Sequence, residues 1–239
     1  MAVRSLYAEP EGTPEQIDWA ALEFRDVFKI YRSGPAETVA LRGLDLRIEP
    51  RELVAVLGPS GSGKSTLLAL AAALDVPSAG EVRVFGRSLS RDADDELAAY
   101  RARELALIFQ SGNIWPALSA YANVLVALRL AGVDDAPAAA NAALDRFGLA
   151  ERAGHVAAQL SGGEQQRVAI AAAAARRARL VLADEPTGEL DERNEKRVLG
   201  ALRELCALYG STVVVVTHSQ RVAAAADRVI EMRDGRALS

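Results

Sequence analysis

The stretch Leu53–Thr66, LVAVLGPSGSGKST, decides the fold. Its first five residues are apolar without alternation, which fits a strand buried on both faces of a parallel sheet covered by helices. A glycine-rich turn follows, and then a helical pattern over Ser65–Leu74. From Gly58 to Ser65 the turn satisfies G-x-x-x-x-G-K-[ST]. Gly58, Gly61 and Gly63 permit backbone angles closed to other residues, so N–H groups can turn inward around phosphate oxygens. The helix that follows points its positive N-terminal end at the same anion. Lys64 is spaced to reach the β- and γ-phosphates and the Ser65 hydroxyl to bind Mg2+, with Ser60, Ser62 and Thr66 completing the lining. A glycine turn without a ligand is the alternative, and the intact motif between strand and helix outweighs it. The stretch predicts a nucleoside triphosphate site.

Outward from it, the unbroken apolar pattern recurs at Leu105–Phe109, Leu180–Ala183 and Val213–Val216. Ala21–Val27, Val39–Ile48 and Glu81–Phe85 alternate instead, as half-exposed antiparallel strands do. Helical periodicity marks Leu97–Arg103, Ala120–Leu130, Ala138–Phe147, Gly163–Arg176 and Glu192–Tyr209. These elements predict a mixed α/β core with an antiparallel side sheet and a helical subdomain over about residues 111–165. Residues 21–239 form one domain in this reading, and residues 1–20, with Glu9, Pro10, Glu11 and Pro14, a solvated leader. Half of the 239 residues are hydrophobic and a quarter charged, enough for a full-sized core. The formal net charge of −4 argues against a nucleic-acid partner. Leu105–Leu128 carries no charge, yet Gln110, Ser111, Gly112, Asn113, Pro116 and Ser119 interrupt it, which excludes a membrane-spanning helix. Cys206, the lone cysteine, falls among Leu202, Leu205 and Leu208 and reads as a buried structural thiol. Arg176, Arg177 and Arg179 read as a solvated, cation-rich helix end.

RLVLADEPT, Arg179–Thr187, ends a buried strand in two acids. Successive strand residues face opposite ways, and the strand end frees the second acid to lean into a site. Asp184 is placed to hold Mg2+, and Glu185 to orient and deprotonate an attacking water. His218 follows another buried strand, where its imidazole can contact the γ-phosphate.

LSGGEQQR, Leu160–Arg167, contains a capping box, Ser161 with Glu164, and so starts a helix with glycine-exposed N–H groups. It is a second anion site in a chain that already has one for its nucleotide. Here the sequence resembles the ABC ATPase family, whose signature motif this string reproduces, and the resemblance runs from about Leu22 to Arg236. It implies a P-loop NTPase fold with a RecA-like parallel core sheet, and ATP with Mg2+ as ligands. It also implies a head-to-tail dimer in which Ser161, Gly162 and Gly163 meet the γ-phosphate held by a second copy, with Glu164 among the nucleotide-site residues. Gln110 matches the family's glutamine loop, which senses Mg2+ and the membrane partner. Leu190–Asp191 matches the loop that crosses the dimer interface. Tyr31 lies where the family stacks an aromatic on adenine, with Phe28 a nearby competitor. DEPTGELD and the ending ADRVIEMRDGR look most like the lipoprotein-release and macrolide-efflux ATPases, whose partners resemble FtsX-type permeases. By that resemblance the chain sits peripherally on the cytoplasmic face of a membrane, held by permease subunits.

Four residues depart from the family pattern: Ala172, Ala178, Glu189 and Ser219. Gly112–Leu128, with Ile114, Trp115, Leu118 and Tyr121, reads either as core of the helical lobe or as an apolar groove for a permease helix. Three rivals are a soluble ABC ATPase working on DNA or ribosomes, a P-loop kinase, and an ABC ATPase that signals across a membrane without transport. The chain lacks the coiled-coil or zinc insertions of the first, and a kinase has no use for LSGGEQQR.

Overall fold

The apolar strands found in the sequence pair as a single sheet. The structure, a computed structural model, describes residues 19–34 and 36–238. Among them β3 (Leu53–Leu57), β6 (Leu105–Ile108), β7 (Leu180–Asp184), β8 (Thr212–Thr217) and β9 (Arg228–Arg233) run parallel. The order is β10-β9-β3-β8-β7-β6, with β10 (Arg236–Leu238) antiparallel at one edge. Register brings the carboxyl ends level: Leu57 pairs with Thr217 and Asp184 with Val216. The loops after β3, β7 and β8 therefore open at one edge of the sheet, where open α/β sheets bind ligands.

Strand alternation divides the core into two layers. Val54, Val56, Leu180, Leu182, Val214 and Val216 face a second sheet and helices α1 (Lys64–Ala71) and α2 (Asp94–Arg103). That sheet, order β2-β1-β4-β5, is built from β1 (Leu22–Ser33), β2 (Ala36–Ile48), β4 (Ala79–Val84) and β5 (Arg87–Ser88). Leu53, Val181, Ala183, Val213 and Val215 face the other way, into a layer shared with α3 (Ala120–Ala131), α4 (Ala136–Arg146), α5 (Gly162–Ala175) and α6 (Glu192–Tyr209). Each such Val or Leu side chain contributes roughly 1.5–3 kcal/mol relative to exposure. Burial on both faces is thus what the unbroken Val/Leu runs encode.

Several boundaries differ from expectation. α1 ends at Ala71 because Ala73 takes φ +52° and Leu74 N–H turns back to Ala69 O (2.9 Å). β4 stops before Phe85, whose φ is +47°. α7 (Gln220–Ala225), β9 and β10 follow His218, where the sequence pattern yielded no element. Trp19 and Ala20, assigned to the leader, pack on the body, the indole covering Gly86; the rest of that segment lies outside the described residues. Of the arginine trio only Arg177 is exposed without a partner among the described residues. Arg176 donates to Ala102 O (3.2 Å), and Arg179 pairs with Glu104 (3.0 Å) and stacks on the Phe85 ring. Cys206 is half-buried rather than buried. Among the described residues no helix is long and apolar enough to cross a membrane.

Candidate active site

The loop after β3 folds as its glycines dictate. Gly61 and Gly63 take φ +78° and +102°, the left-handed region that costs other residues roughly 1–2 kcal/mol. A Cβ at Gly63 would sit 2.7 Å from Ala40 O, and one at Gly58 2.4 Å from Met232 O, so the loop lies tight against β2 and β9. Lys64 Nζ donates to Gly58 O (2.7 Å) and Pro59 O (3.0 Å), holding the ammonium over the loop. Ser60, Gly61 and Ser65 are exposed and Thr66 half-buried. Ser62 departs from its expected place on the lining. Its hydroxyl is buried against Gly58 without a hydrogen-bond partner among the described residues, and its N–H closes a turn on Pro59 O (3.2 Å).

The strand ends bring the acids to this loop. Ser65 Oγ donates to Asp184 Oδ2 across 3.4 Å. Burial pushes the Asp184 carboxyl above its ordinary range and the charge of Glu185 adds to this, against the Ser65 hydrogen bond and the Lys64 charge. A carboxylate and a hydroxyl are hard oxygen donors, and Mg2+ needs few protein ligands because phosphates and water supply the others. The two residues fit that cation. Glu185 turns out of the strand with φ +46°, its N–H donating to Val216 O (2.9 Å). Its Oε2 accepts from Thr217 Oγ1 (2.7 Å), and its Oε1 lies 2.6 Å from His218 Nδ1. Thr217 fixes the carboxylate while the imidazole, largely exposed, faces the opening.

Gln110 follows β6 and donates Nε2 to Glu189 Oε1 (3.3 Å). The loop is tied to the signature helix by two residues that carried no assignment in the sequence. Buried Gln166 donates to Phe109 O and Gln110 O, both at 2.8 Å, and Asn113 Nδ2 donates to Gln166 Oε1 (2.8 Å). The doubled glutamine of LSGGEQQR was the available signal. At the start of α5, Ser161 N–H and hydroxyl donate to Glu164 Oε2 (2.8 and 3.0 Å), and Glu164 N–H donates to Ser161 Oγ (3.3 Å). Burial raises the Glu164 pKa, but these bonds and Arg152 outweigh it and leave the carboxyl below its usual range. Ser161 and Gly162 are exposed, whereas Gly163 is buried with Asn194 2.9 Å from where a Cβ would stand. Among the described residues no hydrogen bond joins Ser161, Gly162 or Glu164 to the phosphate loop of the same chain. Asp191 is exposed and caps α6, accepting from Asn194 N–H (3.0 Å).

Tyr31 sits on β1 with an exposed ring, its hydroxyl donating to Asp75 Oδ2 (3.0 Å) and Lys29 Nζ 4.9 Å from the ring centre. Phe28 is half-buried and packs near Gly43. Three departures gain a physical account. Ala178 N–H donates to Ala173 O (3.0 Å), a bond that proline could not make. Glu189 accepts from Gln110. Ser219 caps α7 and donates to Glu195 Oε1 (3.4 Å), where an acid would oppose a second carboxylate.

Fold and site together define a P-loop NTPase of mixed α/β architecture. The sequence matches the family described as ABC transporter over residues 41–188. The chain belongs to that family, as an ATP-binding cassette of the ATPase class. It is 49% identical over 218 residues to the macrolide export ATP-binding/permease protein MacB of Rhodopseudomonas palustris strain HaA2, covering 90% of this chain and 33% of that protein. The chain thus spans about a third of the length of that relative. It is 41% identical over 222 residues to the lipoprotein-releasing system ATP-binding protein LolD 1 of Rhodospirillum rubrum, covering 92% of this chain and 98% of that one. Among solved structures, the ATP-binding cassette MJ0796, as a dimer in a post-hydrolysis state with ADP and Pi, superposes with a TM-score of 0.83. Identity there is 37%, covering 91% of this chain and 97% of the other.

Proposed function

We propose that this cassette clamps ATP and Mg2+ between two copies of itself and hydrolyses the nucleotide to drive separate, FtsX-like permease subunits. The observation that carries this is the convergence of Lys64, Ser65, Asp184, Glu185 and His218 at one sheet edge. The loop N–H groups and Lys64 hold the phosphates. Ser65, Asp184 and, from the end of the neighbouring strand, Gln110 would hold Mg2+, which would supply charge neutralisation on the phosphate oxygens. Glu185, fixed by Thr217, accepts the proton of the attacking water, and His218 keeps that carboxylate and the γ-phosphate region in register. No covalent enzyme intermediate is needed. The signature of the second copy completes the site, which accounts for an exposed Ser161–Gly162 edge with no hydrogen bond to its own phosphate loop among the described residues. Tyr31 stacks on adenine, and Asp191 lies at the crossing between the copies.

An apolar groove of about 460 Å³ supports a permease partner. Ile114, Trp115, Val126, Leu130, Ala172 and Arg176 line it. Trp115 and Leu130 are 59% and 68% exposed, a large apolar surface for a lone chain. Both readings of the uncharged patch apply: Ile114 is core, Trp115 is open, and Leu118 and Tyr121 are half-buried. A short permease helix fits this groove, placing the cassette on the cytoplasmic face of a membrane. Transmembrane signalling without transport uses the same cycle. Glu185→Gln tests the chemistry: phosphate release should fall at least about a hundredfold with ATP still bound, and wild-type turnover would refute the role.

A further inference from the structure

A second concavity, of about 510 Å³, lies where α4, α5 and α6 meet and shares no residue with the nucleotide site. Arg146, Arg167, Arg197, Gly200 and Glu204 line it. Arg167 is only 8% exposed, and its Nη1 is buried without a hydrogen-bond partner. Among the described residues it forms no ion pair either. Burial, and then the charge of Arg197, hold its guanidinium below the usual value. A buried guanidinium without a counter-anion is costly, and its planar donors match oxyanions. Arg197 is exposed and also has no ion-pair partner among the described residues. Arg146 is paired with Glu204. Glu164 attracts Arg167 at a distance, but it is committed to Ser161 and to Arg152 (3.3 Å). Three guanidinium groups against the Glu204 carboxylate leave two positive charges around the concavity. At Gly148 and Gly200 nothing beyond the adjoining backbone lies within 4 Å of where a Cβ would stand, so the space is open.

We propose that this concavity binds a phosphate-class dianion between Arg146, Arg167 and Arg197. The bound anion supplies the partner that Arg167 lacks and bridges α4 of the helical lobe to α6 of the core. It acts through α5, the helix that Ser161 caps.

The phosphate loop also attracts phosphate, so the test is made in the nucleotide-free full chain carrying Lys64→Ala. The thermal midpoint is measured as sodium phosphate replaces sodium chloride at constant ionic strength. The midpoint should rise by roughly 5–10 °C at a hundred times the Kd. Adding Arg197→Glu, which sets a carboxylate beside Arg167, should abolish the phosphate response while leaving the baseline midpoint equal or higher. Arg197→Ala at the same exposed position should weaken the response at least tenfold in phosphate concentration. An equal response in all three chains, or none in the parent, overturns the proposal. Flotation with phosphatidic acid vesicles separates the sources of the phosphate. Vesicle capture that is lost with Arg197→Glu assigns a lipid headgroup, and a response to sodium phosphate without capture assigns the free ion.

Discussion

Replacing Gln166 with Met keeps nearly the same volume in α5 and deletes the amide that ties the signature helix to the glutamine loop. Three hydrogen bonds of 2.8 Å are lost: those to Phe109 O and Gln110 O, and that from Asn113. A typical intramolecular hydrogen bond contributes about 0.5–1.5 kcal/mol net. Phe109 and Gln110 are exposed residues whose carbonyls water can reach after substitution, so the low half of that range applies. The sum is about 2 kcal/mol, equivalent to roughly 4–8 °C in Tm for a chain of this size. Nucleotide affinity should hold, because among the described residues Gln166 makes no hydrogen bond to the phosphate loop. ATP hydrolysis should fall, because Gln110 and the signature no longer move as one piece. Differential scanning calorimetry, paired with Mg-ATP titration of the same sample, measures both. A midpoint within about 1 °C of wild type, or an unchanged hydrolysis rate, would show that the amide is not the tether.

Burial, and then the charge of Asp227, push the Cys206 thiol up to about 11. At pH 8 that leaves about a hundredfold less thiolate than a free cysteine has, so modification by a thiol reagent should be slow in the native protein and fast in urea. Equal rates in both would contradict the burial. Leu130→Asp places a charge in the apolar groove at an exposed position. It should abolish co-purification with the permease while leaving Tm and ATP binding unchanged, and retained binding would move the docking surface elsewhere.

Much of the site was legible because its chemistry is local in sequence. The phosphate loop, the Asp184–Glu185 strand end and the Ser161–Glu164 cap each fall within a few residues, and each formed where the motif placed it. The unbroken Leu/Val runs likewise announced two-sided burial, and α6 spans the residues that its periodicity marked. What escaped the sequence depended on distant partners. Gln166 reads as one polar residue in a helix until Phe109 and Gln110 are brought beside it by β6. Ser62 lies in the motif, yet the close approach of β9 to Gly58 turns its hydroxyl inward. The helical period of Arg176 suggested solvent, and only the packing of α2 supplied the Ala102 carbonyl that holds it. β9 and the edge strand β10 were missed because charges interrupt them, Glu231, Arg233 and Arg236, close to a turn.

The central claim is that Ser161 serves the phosphate bound by another copy. Light scattering on the Glu185→Gln chain with Mg-ATP tests it most directly, against 25.4 kDa for one chain. The mass should double when ATP is added. With Ser161→Arg in the same background it should stay at one chain while ATP still binds. A Ser161→Arg chain that doubles its mass as readily as its parent would contradict the account.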